Sequence, residues 1–269
     1  MSQSPDTRHR PQKKWGQNFL RNPGAVNRII EAVSKCDGVE ILEIGPGEGV
    51  LTRELVKLGR RVTAIEIDTS LIERLRQAVP DASLEIVNAD ATTVPLPAEP
   101  FCAVGNLPYN VATPIIRRVI SAEGCRLGVF MVQKEVADRM VAQAGDDAYG
   151  FLTLFVQMFA TARILLVLEP GSFHPRPKVR SAVIILTPAR PDLATNRDEL
   201  VTLISRSFQM RRKNLLNNLT GYKGLGRTEV AELIEEASLL ATGRAEEMSL
   251  QQFDRLAELI ERRAGAPAR

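Results

Sequence analysis

Residues 39–49 read VEILEIGPGEG, a short apolar segment that runs directly into a glycine-rich turn. A β-branched apolar segment of this length is typical of a buried strand, and leucines at helical spacing follow the turn. Glycines at the junction let a ligand approach backbone amides without a Cβ in the way. The segment therefore predicts a strand, a ligand-binding turn and a helix, in that order.

Further apolar strands alternate with helical stretches after this turn. They are predicted at 62–67, 84–87, 101–105 and 127–132. Such alternation is typical of an α/β fold with a doubly wound parallel sheet, in which ligands bind at the carboxyl ends of the strands. Two later strands, 164–168 and 181–186, have no helix between them and are expected to pair antiparallel at one edge of the sheet.

The proline-rich residues 187–191 are typical of a linker, and only helical patterns follow them. We therefore expect a ligand-binding α/β domain over residues 1–190 and a small all-helical domain over residues 191–269. The helix starts in this second domain are predicted at three capping residues, Asn196, Thr228 and Ser249.

The composition is that of a soluble globular protein and argues against several kinds of site. The 269 residues include 44% hydrophobic and 25% charged side chains, with a net charge of +3. The 3 cysteines are odd in number and lack C-x-x-C spacing, so neither a disulfide framework nor a zinc site is expected. With only 2 histidines, a histidine-based metal site or a Ser-His triad is not expected either.

Residues 1–14 are polar and contain no apolar stretch of the kind that signal peptides have. The longest apolar region, residues 151–168, is interrupted by polar side chains and predicts a helix followed by a strand instead of a membrane span. We therefore expect a cytoplasmic protein without a membrane segment.

The strand at 101–105 ends in Asn106-Leu107-Pro108-Tyr109, a combination suited to holding a planar amine. If the Asn106 side-chain oxygen and the Leu107 carbonyl accept hydrogen bonds from the exocyclic amine of adenine, the nitrogen is favoured in a pyramidal form whose lone pair is free to attack. Pro108 restricts the backbone of the turn, and Tyr109 offers a flat surface on which a base stacks. An ordinary Asn-x-Pro turn after a buried strand gives the same pattern.

Acidic residues lie at or just after the ends of the two strands between the glycine turn and this tetrapeptide. Glu66 occupies the place where an acid binds ribose hydroxyls in dinucleotide folds, and Asp90 is placed to accept a hydrogen bond from an adenine amine. Gly45, Gly47 and Gly49 are spaced G-x-G-x-G, not G-x-G-x-x-G as expected for a pyrophosphate. A glycine turn alone would also fit a nicotinamide cofactor, but the whole set fits S-adenosylmethionine better.

Basic side chains are grouped at three places and are candidates for RNA contact. They are Lys13 and Lys14, then Arg176 and Lys178, then Arg211, Arg212 and Lys213. Such groups are more often solvated surface, but three of them together with a base-holding motif favour a nucleic acid.

Five ordered segments resemble the ribosomal RNA adenine N6-dimethyltransferases. They are Gly16–Leu20, Glu43–Gly47, Asn106–Asn110, Gln133–Val136 and Phe173–Val179. The resemblance runs from about Gln12 through the helical tail and so covers nearly the whole chain. It implies a Rossmann-like class I methyltransferase that uses S-adenosylmethionine, releases S-adenosylhomocysteine and needs no metal.

The resemblance also implies where the cofactor binds. Asn18 and Leu20 would close over the cofactor, and Gly45 would lie under it in the same turn as Gly47. Glu66 would bind its ribose and Asp90 its adenine. Asn106 would contact its methionine end as well as the target amine.

Phe173 would stack on the target base opposite Tyr109. A plain core aromatic is the alternative at this position, but the proline-bracketed loop favours exposure of the ring.

Among relatives, Asn-Leu-Pro-Tyr-Asn at 106–110 resembles the small-subunit enzymes, which dimethylate two adjacent adenines in a hairpin near the RNA 3′ end. This implies a monomer that acts on small-subunit rRNA, in an immature 30S particle. The large-subunit resistance methyltransferases more often have isoleucine before the proline. Arg180 departs from the family, which usually has an acid before Ser181.

Two further interpretations stay open. A DNA adenine methyltransferase uses a similar Asn/Asp-Pro-Pro-Tyr chemistry, and a factor for ribosome assembly or transcription would need no catalysis. The second interpretation predicts decay of the cofactor residues, yet Gly45, Glu66, Asp90 and Asn106 are all present.

Overall fold

The structure is a computed structural model and describes residues 17–210 and 212–265. These residues fold into two compact units. Unit 1 contains the described residues up to Ala137 together with Ala162–Pro188, and unit 2 contains Asp138–Thr161 together with the described residues from Ala189 onward. The second unit thus includes a segment that the sequence pattern assigned to the α/β domain over residues 1–190.

The described residues form two sheets. The strands are β1 (Phe19–Leu20), β2 (Glu40–Ile44), β3 (Val62–Glu66), β4 (Leu84–Asn88), β5 (Phe101–Asn106), β6 (Cys125–Gln133), β7 (Ala160–Leu168), β8 (Phe173–His174) and β9 (Ser181–Pro188). The order in the main sheet is β4-β3-β2-β5-β6-β9-β7, while β1 and β8 form a separate two-stranded sheet. Neighbours from β4 to β6 pair in parallel, and β9 pairs antiparallel with β6.

Helices follow β2, β3 and β5 and make up the described part of the chain's C-terminal region, whereas β4 is joined to β5 by a loop without a helix. The helices are α1 (Pro23–Ser34), α2 (Thr52–Leu55), α3 (Thr69–Ala78), α4 (Ala112–Ser121), α5 (Lys134–Val141), α6 (Phe151–Phe159), α7 (Arg197–Ser207), α8 (Leu215–Leu219), α9 (Arg227–Glu236) and α10 (Leu250–Gly265). None in the described residues is both long enough and apolar enough to cross a bilayer.

Local sequence explains where these elements begin. The Asn22 side chain caps α1 by accepting from the Ala25 N–H at 3.1 Å, and Pro23 is the first helical residue. Strand β5 is buried along nearly its whole length, as expected for a parallel strand covered on both faces. The apolar region 151–168 is helix α6 followed by strand β7, as predicted.

The β1–β8 ribbon fixes the N-terminal segment to a distant loop in unit 1. Phe19 is paired with His174 and Leu20 with Phe173, and the Arg21 N–H donates to the Ser172 carbonyl at 2.7 Å. This pairing was not predicted from the sequence, and it brings Gln17–Leu20 to the carboxyl ends of the main-sheet strands.

Candidate active site

A cleft of about 210 Å³ opens in unit 1 at the carboxyl ends of β2, β3 and β5. This is where a doubly wound sheet places its ligands. The predicted cofactor residues and the amine-holding tetrapeptide line it together: Asn18, Leu20, Gly45, Gly47, Glu66, Asp90, Asn106, Leu107, Pro108 and Tyr109.

The glycine turn is fixed between the N-terminal segment and the acid that ends β3. Gly47 has a φ of +57°, and a Cβ at this position would lie 2.9 Å from Cε1 of Phe19. Both the backbone conformation and the ring contact therefore require glycine. The Gly47 N–H donates to Oε2 of Glu66 at 3.1 Å.

Glu66 is a buried carboxylate held by backbone donors. It is 5% exposed, and its Oε1 accepts from the Asp68 N–H at 2.9 Å. Burial raises the pKa of Glu66, and the hydrogen bonds from Asp68 and Gly47 partly oppose this rise. Because each carboxylate oxygen accepts more than one hydrogen bond, the fixed side chain retains capacity for a ribose hydroxyl.

Asp90 lies in the loop after β4, and its side chain is exposed. Its Oδ1 accepts from the hydroxyl of Thr92 at 2.7 Å and from the Thr92 N–H at 2.8 Å. These two bonds lower the pKa of Asp90. The carboxylate therefore offers acceptor oxygens that suit an adenine amine.

The N-terminal segment orients the side chain of Asn106. Nδ2 of Asn106 donates to the Asn18 carbonyl at 2.6 Å. Because a carbonyl oxygen only accepts, the amide nitrogen must face Asn18, and Oδ1 is left as the acceptor. The next residue, Leu107, donates its N–H to the Met131 carbonyl at 3.2 Å, which continues the β5–β6 pairing into the tetrapeptide.

The phenol oxygen of Tyr109 is fixed by a hydrogen bond to a buried side chain. The Tyr109 and Ser181 hydroxyls are hydrogen-bonded at 2.7 Å, and Ser181 is fully buried at the start of β9. Burial raises the pKa of Tyr109, with the Ser181 bond opposing the rise. Sequence reasoning missed Ser181 because its partner, Tyr109, lies in the turn after β5, far away along the chain.

Phe173 is a core residue in this structure. It is 3% exposed and packs in the same core as Val26, Ile41 and Val104. The prediction that the proline-bracketed loop exposes this ring is wrong, because pairing of β8 with β1 holds Phe173 in the core. Stacking of Phe173 on a base stays a prediction, and the ring would have to leave the core to do so.

Glu43 lines the cleft but had no role in the sequence-based interpretation. It is 1% exposed, and its Oε2 has no hydrogen-bond partner in the described structure. Burial raises the pKa of Glu43 to about 8; the Thr52 side chain opposes the rise and the charge of Glu66 adds to it. The available signal was an acid between apolar residues in the segment ILEI, residues 41–44 of β2.

The candidate RNA-contacting residues lie in both units. Arg176 and Lys178 are exposed in the loop between β8 and β9 of unit 1, and Arg212 and Lys213 are exposed between α7 and α8 of unit 2. The other candidates, Lys13, Lys14 and Arg211, lie outside the described residues. Arg180, the departure from the family pattern, has its guanidinium 4.0 Å from the Glu169 carboxylate.

Among the residues that the structure describes, the cleft is lined by four acidic side chains and by no Lys, Arg or His. They are Glu43, Glu48, Glu66 and Asp90. Glu48 forms a salt bridge with Arg21, with 2.6 Å between a guanidinium nitrogen and Oε2. Arg21 itself does not line the cleft. An acidic cleft favours a cationic ligand over a pyrophosphate, so a sulfonium cofactor fits the lining residues and a dinucleotide does not.

Comparison with known proteins agrees with this chemistry. Residues 8–261 match the family model described as Ribosomal RNA adenine dimethylase. The Ribosomal RNA small subunit methyltransferase A of Acidithiobacillus ferrooxidans is 39% identical over 257 residues, which cover 93% of this chain and 94% of the relative. The protein of the same name from Legionella pneumophila (strain Corby) is 38% identical over 264 residues, which cover 94% of this chain and 99% of the relative.

Solved structures give the same result at the level of the fold. A dimethyladenosine transferase from Plasmodium falciparum has a TM-score of 0.81 at 27% identity, with 92% of this chain and 98% of that chain covered. The 23S rRNA methyltransferase ErmE has a TM-score of 0.71 at 28% identity, with 91% and 100% covered. The predicted Rossmann-like methyltransferase fold is confirmed.

The matches also confirm the predicted activity, that of an S-adenosylmethionine-dependent rRNA adenine dimethyltransferase. The segments that carried the resemblance from Glu43 onward, together with Gln17–Leu20, lie within the residues that the structure describes. The chain belongs to the ribosomal RNA adenine dimethylase family.

Proposed function

We propose that the protein methylates N6 of two adjacent adenosines in a 3′-terminal hairpin of small-subunit (16S) rRNA, giving N6,N6-dimethyladenosine. The observation that carries this proposal is the hydrogen bond from Asn106 Nδ2 to the Asn18 carbonyl, which leaves Oδ1 as an acceptor at an acidic cleft. The names of the relatives at 39% and 38% identity support the small subunit as the target.

Some of the residues that line the cleft bind the cofactor, and others hold the target base. Glu66 binds the ribose, Asp90 binds the adenine amine of the cofactor, Asn18 and Leu20 cover it, and the turn at Gly45 and Gly47 lies beneath it. When bound, S-adenosylmethionine supplies a methyl group on a positively charged sulfur, and S-adenosylhomocysteine is the product.

The tetrapeptide prepares the target amine. Asn106 Oδ1 and the Leu107 carbonyl accept its two protons in hydrogen bonds, which favours a pyramidal nitrogen with an available lone pair. Tyr109 stacks on the base, and Pro108 restricts the turn. No general base is needed before attack, so the protein contributes mainly positioning and exclusion of water.

The larger context of the reaction is part of the same proposal. The protein is a cytoplasmic monomer that needs no metal and acts on an immature 30S particle. Its RNA contacts come from the three basic groups named above, two of which have described members that are exposed.

The substrate is tested by mass spectrometry of nucleosides from RNA incubated with the protein and S-adenosylmethionine. Unmethylated small-subunit particles, naked 16S rRNA, 23S rRNA and duplex DNA serve as parallel substrates. We expect dimethyladenosine in the small-subunit particles. Preferential methylation of 23S rRNA or of DNA would overturn the proposed substrate.

The role of Asn106 is tested by two substitutions. Asn106→Ala removes the acceptor oxygen and is expected to abolish methylation while most of the RNA affinity remains. Asn106→Asp keeps an acceptor but cannot donate to the Asn18 carbonyl, so it should retain partial activity. Near-normal turnover of Asn106→Ala in single-turnover assays would show that the amine is held by other groups.

A further inference from the structure

The loop that carries Asp90 joins β4 to β5. Residues 89–100, all of which the structure describes, contain turns but no helix or strand. The N–H groups of Thr93 and Val94 donate to the Asp90 carbonyl at 3.0 and 2.9 Å, which closes a turn directly after the acid. Because the loop has no helical ladder, its other carbonyls need hydrogen bonds from side chains or from water.

Arg118 supplies three of these hydrogen bonds from α4. Its Nη1 donates to the Ala91 carbonyl at 3.1 Å, and its Nη2 donates to the carbonyls of Val94 and, at 3.3 Å, Thr93. The side chain is half-buried. A guanidinium is planar and its donors point in fixed directions, so one side chain holds the whole turn after Asp90 in a single arrangement.

Hydrogen bonds within the turn connect Arg118 to the Asp90 carboxylate. Oδ1 of Asp90 accepts from the N–H and from the hydroxyl of Thr92. Thr92 lies between Ala91 and Thr93, whose carbonyls Arg118 holds. The position of Thr92 therefore sets the direction of the carboxylate, and Arg118 sets the position of Thr92.

The helix that carries Arg118 begins directly after the amine-holding tetrapeptide. The Val111 N–H donates to the Pro108 carbonyl at 3.1 Å, and the Ile115 N–H donates to the Val111 carbonyl at 3.2 Å. Both Val111 and Ile115 line the cleft. Arg118 follows Ile115 at the i+3 position and so lies on the same side of α4. One side of this helix therefore borders the cleft and also fixes the loop of Asp90.

We propose that Arg118 is a positioning residue for recognition of the cofactor: its guanidinium holds the turn after Asp90 so that the carboxylate faces the exocyclic amine of the cofactor's adenine. Arg118 is not among the described residues that line the cleft, so it acts through the loop and does not touch the ligand. The inference rests on the proposed contact between Asp90 and that amine, and it does not depend on the RNA substrate.

Calorimetric titration of the full-length protein without RNA tests the inference. The ligands are S-adenosylhomocysteine and its analogue in which hydrogen replaces the exocyclic amine of adenine. The wild-type protein should bind S-adenosylhomocysteine about tenfold more tightly, because the analogue offers no donor to the Asp90 carboxylate. Arg118→Met keeps an unbranched apolar stem but removes the donors, and it should reduce this preference to below about threefold.

Two further variants separate the fork of donors from the charge and from arginine in general. Arg118→Lys keeps the charge and should show an intermediate preference, because one ammonium group cannot hold all the carbonyls in the same geometry. Arg126→Met is the matched control, since the Arg126 guanidinium also donates to a backbone carbonyl, that of Glu123 at 2.9 Å, but outside the loop. It should keep the wild-type preference. Thermal unfolding checks that each variant is folded.

Asp90→Asn identifies the group through which Arg118 acts. Asparagine keeps Oδ1 as an acceptor for Thr92 but has an N–H donor in place of Oδ2, and this donor cannot accept from the amine. Asp90→Asn alone should lose the preference for S-adenosylhomocysteine. Adding Arg118→Met to it should then change the affinity for this ligand by less than about twofold.

The inference alone would be overturned if Asp90→Asn lost the preference while Arg118→Met kept it, or if Arg118→Met weakened both ligands equally. A wild-type preference in Asp90→Asn would instead overturn the proposed contact between Asp90 and the adenine amine. Failure of S-adenosylhomocysteine to bind to the wild-type protein would contradict the proposed cofactor site itself. The three kinds of failure are thus told apart in one set of titrations.

Discussion

Ser181 acts on the site through Tyr109, because its buried hydroxyl holds the phenol at 2.7 Å. Ser181→Ala frees the ring to leave its stacking position, and we expect a roughly tenfold lower methylation rate, the equivalent of about one hydrogen bond. The affinity for S-adenosylmethionine should stay unchanged, since Ser181 does not line the cofactor cleft. Single-turnover rates and calorimetric affinities measure the two effects separately.

A double-mutant cycle with Tyr109→Phe distinguishes positioning from a general structural role. If Ser181 acts only through the phenol, the double variant should be no slower than either single variant. Tyr109→Phe should also unfold more easily than the double variant, because it leaves the buried Ser181 hydroxyl without this partner. Additive losses in rate would contradict the positioning role.

Some residues of the site could be predicted from the sequence and others could not. Asn106, Glu66 and Asp90 were predicted to meet because each lies at or just after the carboxyl end of a parallel strand, and all three line one cleft. Ser181 carried no such signal, since its contact is made by a strand that joins the sheet much later in the chain. Phe173 was misjudged because local proline content does not reveal the pairing that holds its ring in the core.

At the scale of elements, the close approach of β2 and β5 brings the glycine turn to the tetrapeptide. A Cβ at Gly105 would lie 2.3 Å from the carbonyl oxygen of Ile44. Because this oxygen belongs to the backbone, it cannot move away without a large cost in free energy. Gly105→Ala should therefore push the ends of the two strands apart. We expect a loss of about 1–3 kcal/mol in the free energy of unfolding and at least about tenfold weaker cofactor binding.

Gly171→Ala is the matched control for this change, because nothing lies within 4 Å of a Cβ built at Gly171. It should change the free energy of unfolding by less than about 0.5 kcal/mol. Urea unfolding and calorimetric titration with S-adenosylmethionine measure both variants. Wild-type stability and affinity in Gly105→Ala would show that the strands accommodate the methyl group.

Elements with a long periodic pattern were predicted well, whereas short ones and some caps were not. The predicted capping box at Ser249 is present, with the Gln252 N–H donating to Ser249 Oγ at 3.3 Å. The predicted cap at Thr228 is wrong: α9 starts at Arg227, and the Glu229 carboxylate accepts from the Gly226 N–H at 2.7 Å. The β1–β8 ribbon has two residues in each strand, too few to show any period.

At the scale of the whole molecule, unit 2 takes in residues 138–161 because α6 packs against α7 and α10 within that unit. Tyr149 adds a long-range contact, since its hydroxyl donates to the Met248 carbonyl at 2.6 Å. Sequence composition marked the linker near residue 190 but held no sign of this packing between distant helices. The assignment of RNA contact to the helical part stays a prediction.

Each unit contributes exposed basic residues, and we expect both sets to contact the phosphate backbone of one RNA. The first set is Arg176 and Lys178, and the second is Arg212 and Lys213. Replacing either pair by glutamine should reduce the slope of log affinity against log salt by about 1.4 to 1.8, and replacing both pairs should reduce it by the sum.

Fluorescence anisotropy with a small-subunit hairpin between about 50 and about 200 mM salt measures these slopes. Lys35→Gln is the control, because this exposed lysine is already paired with Glu31 at 3.0 Å and should leave the slope unchanged. If only one pair changes the slope, the RNA contacts come from one unit alone. A slope that neither pair changes would place the RNA on a different face of the protein, since counterion release depends only on the phosphate contacts actually made.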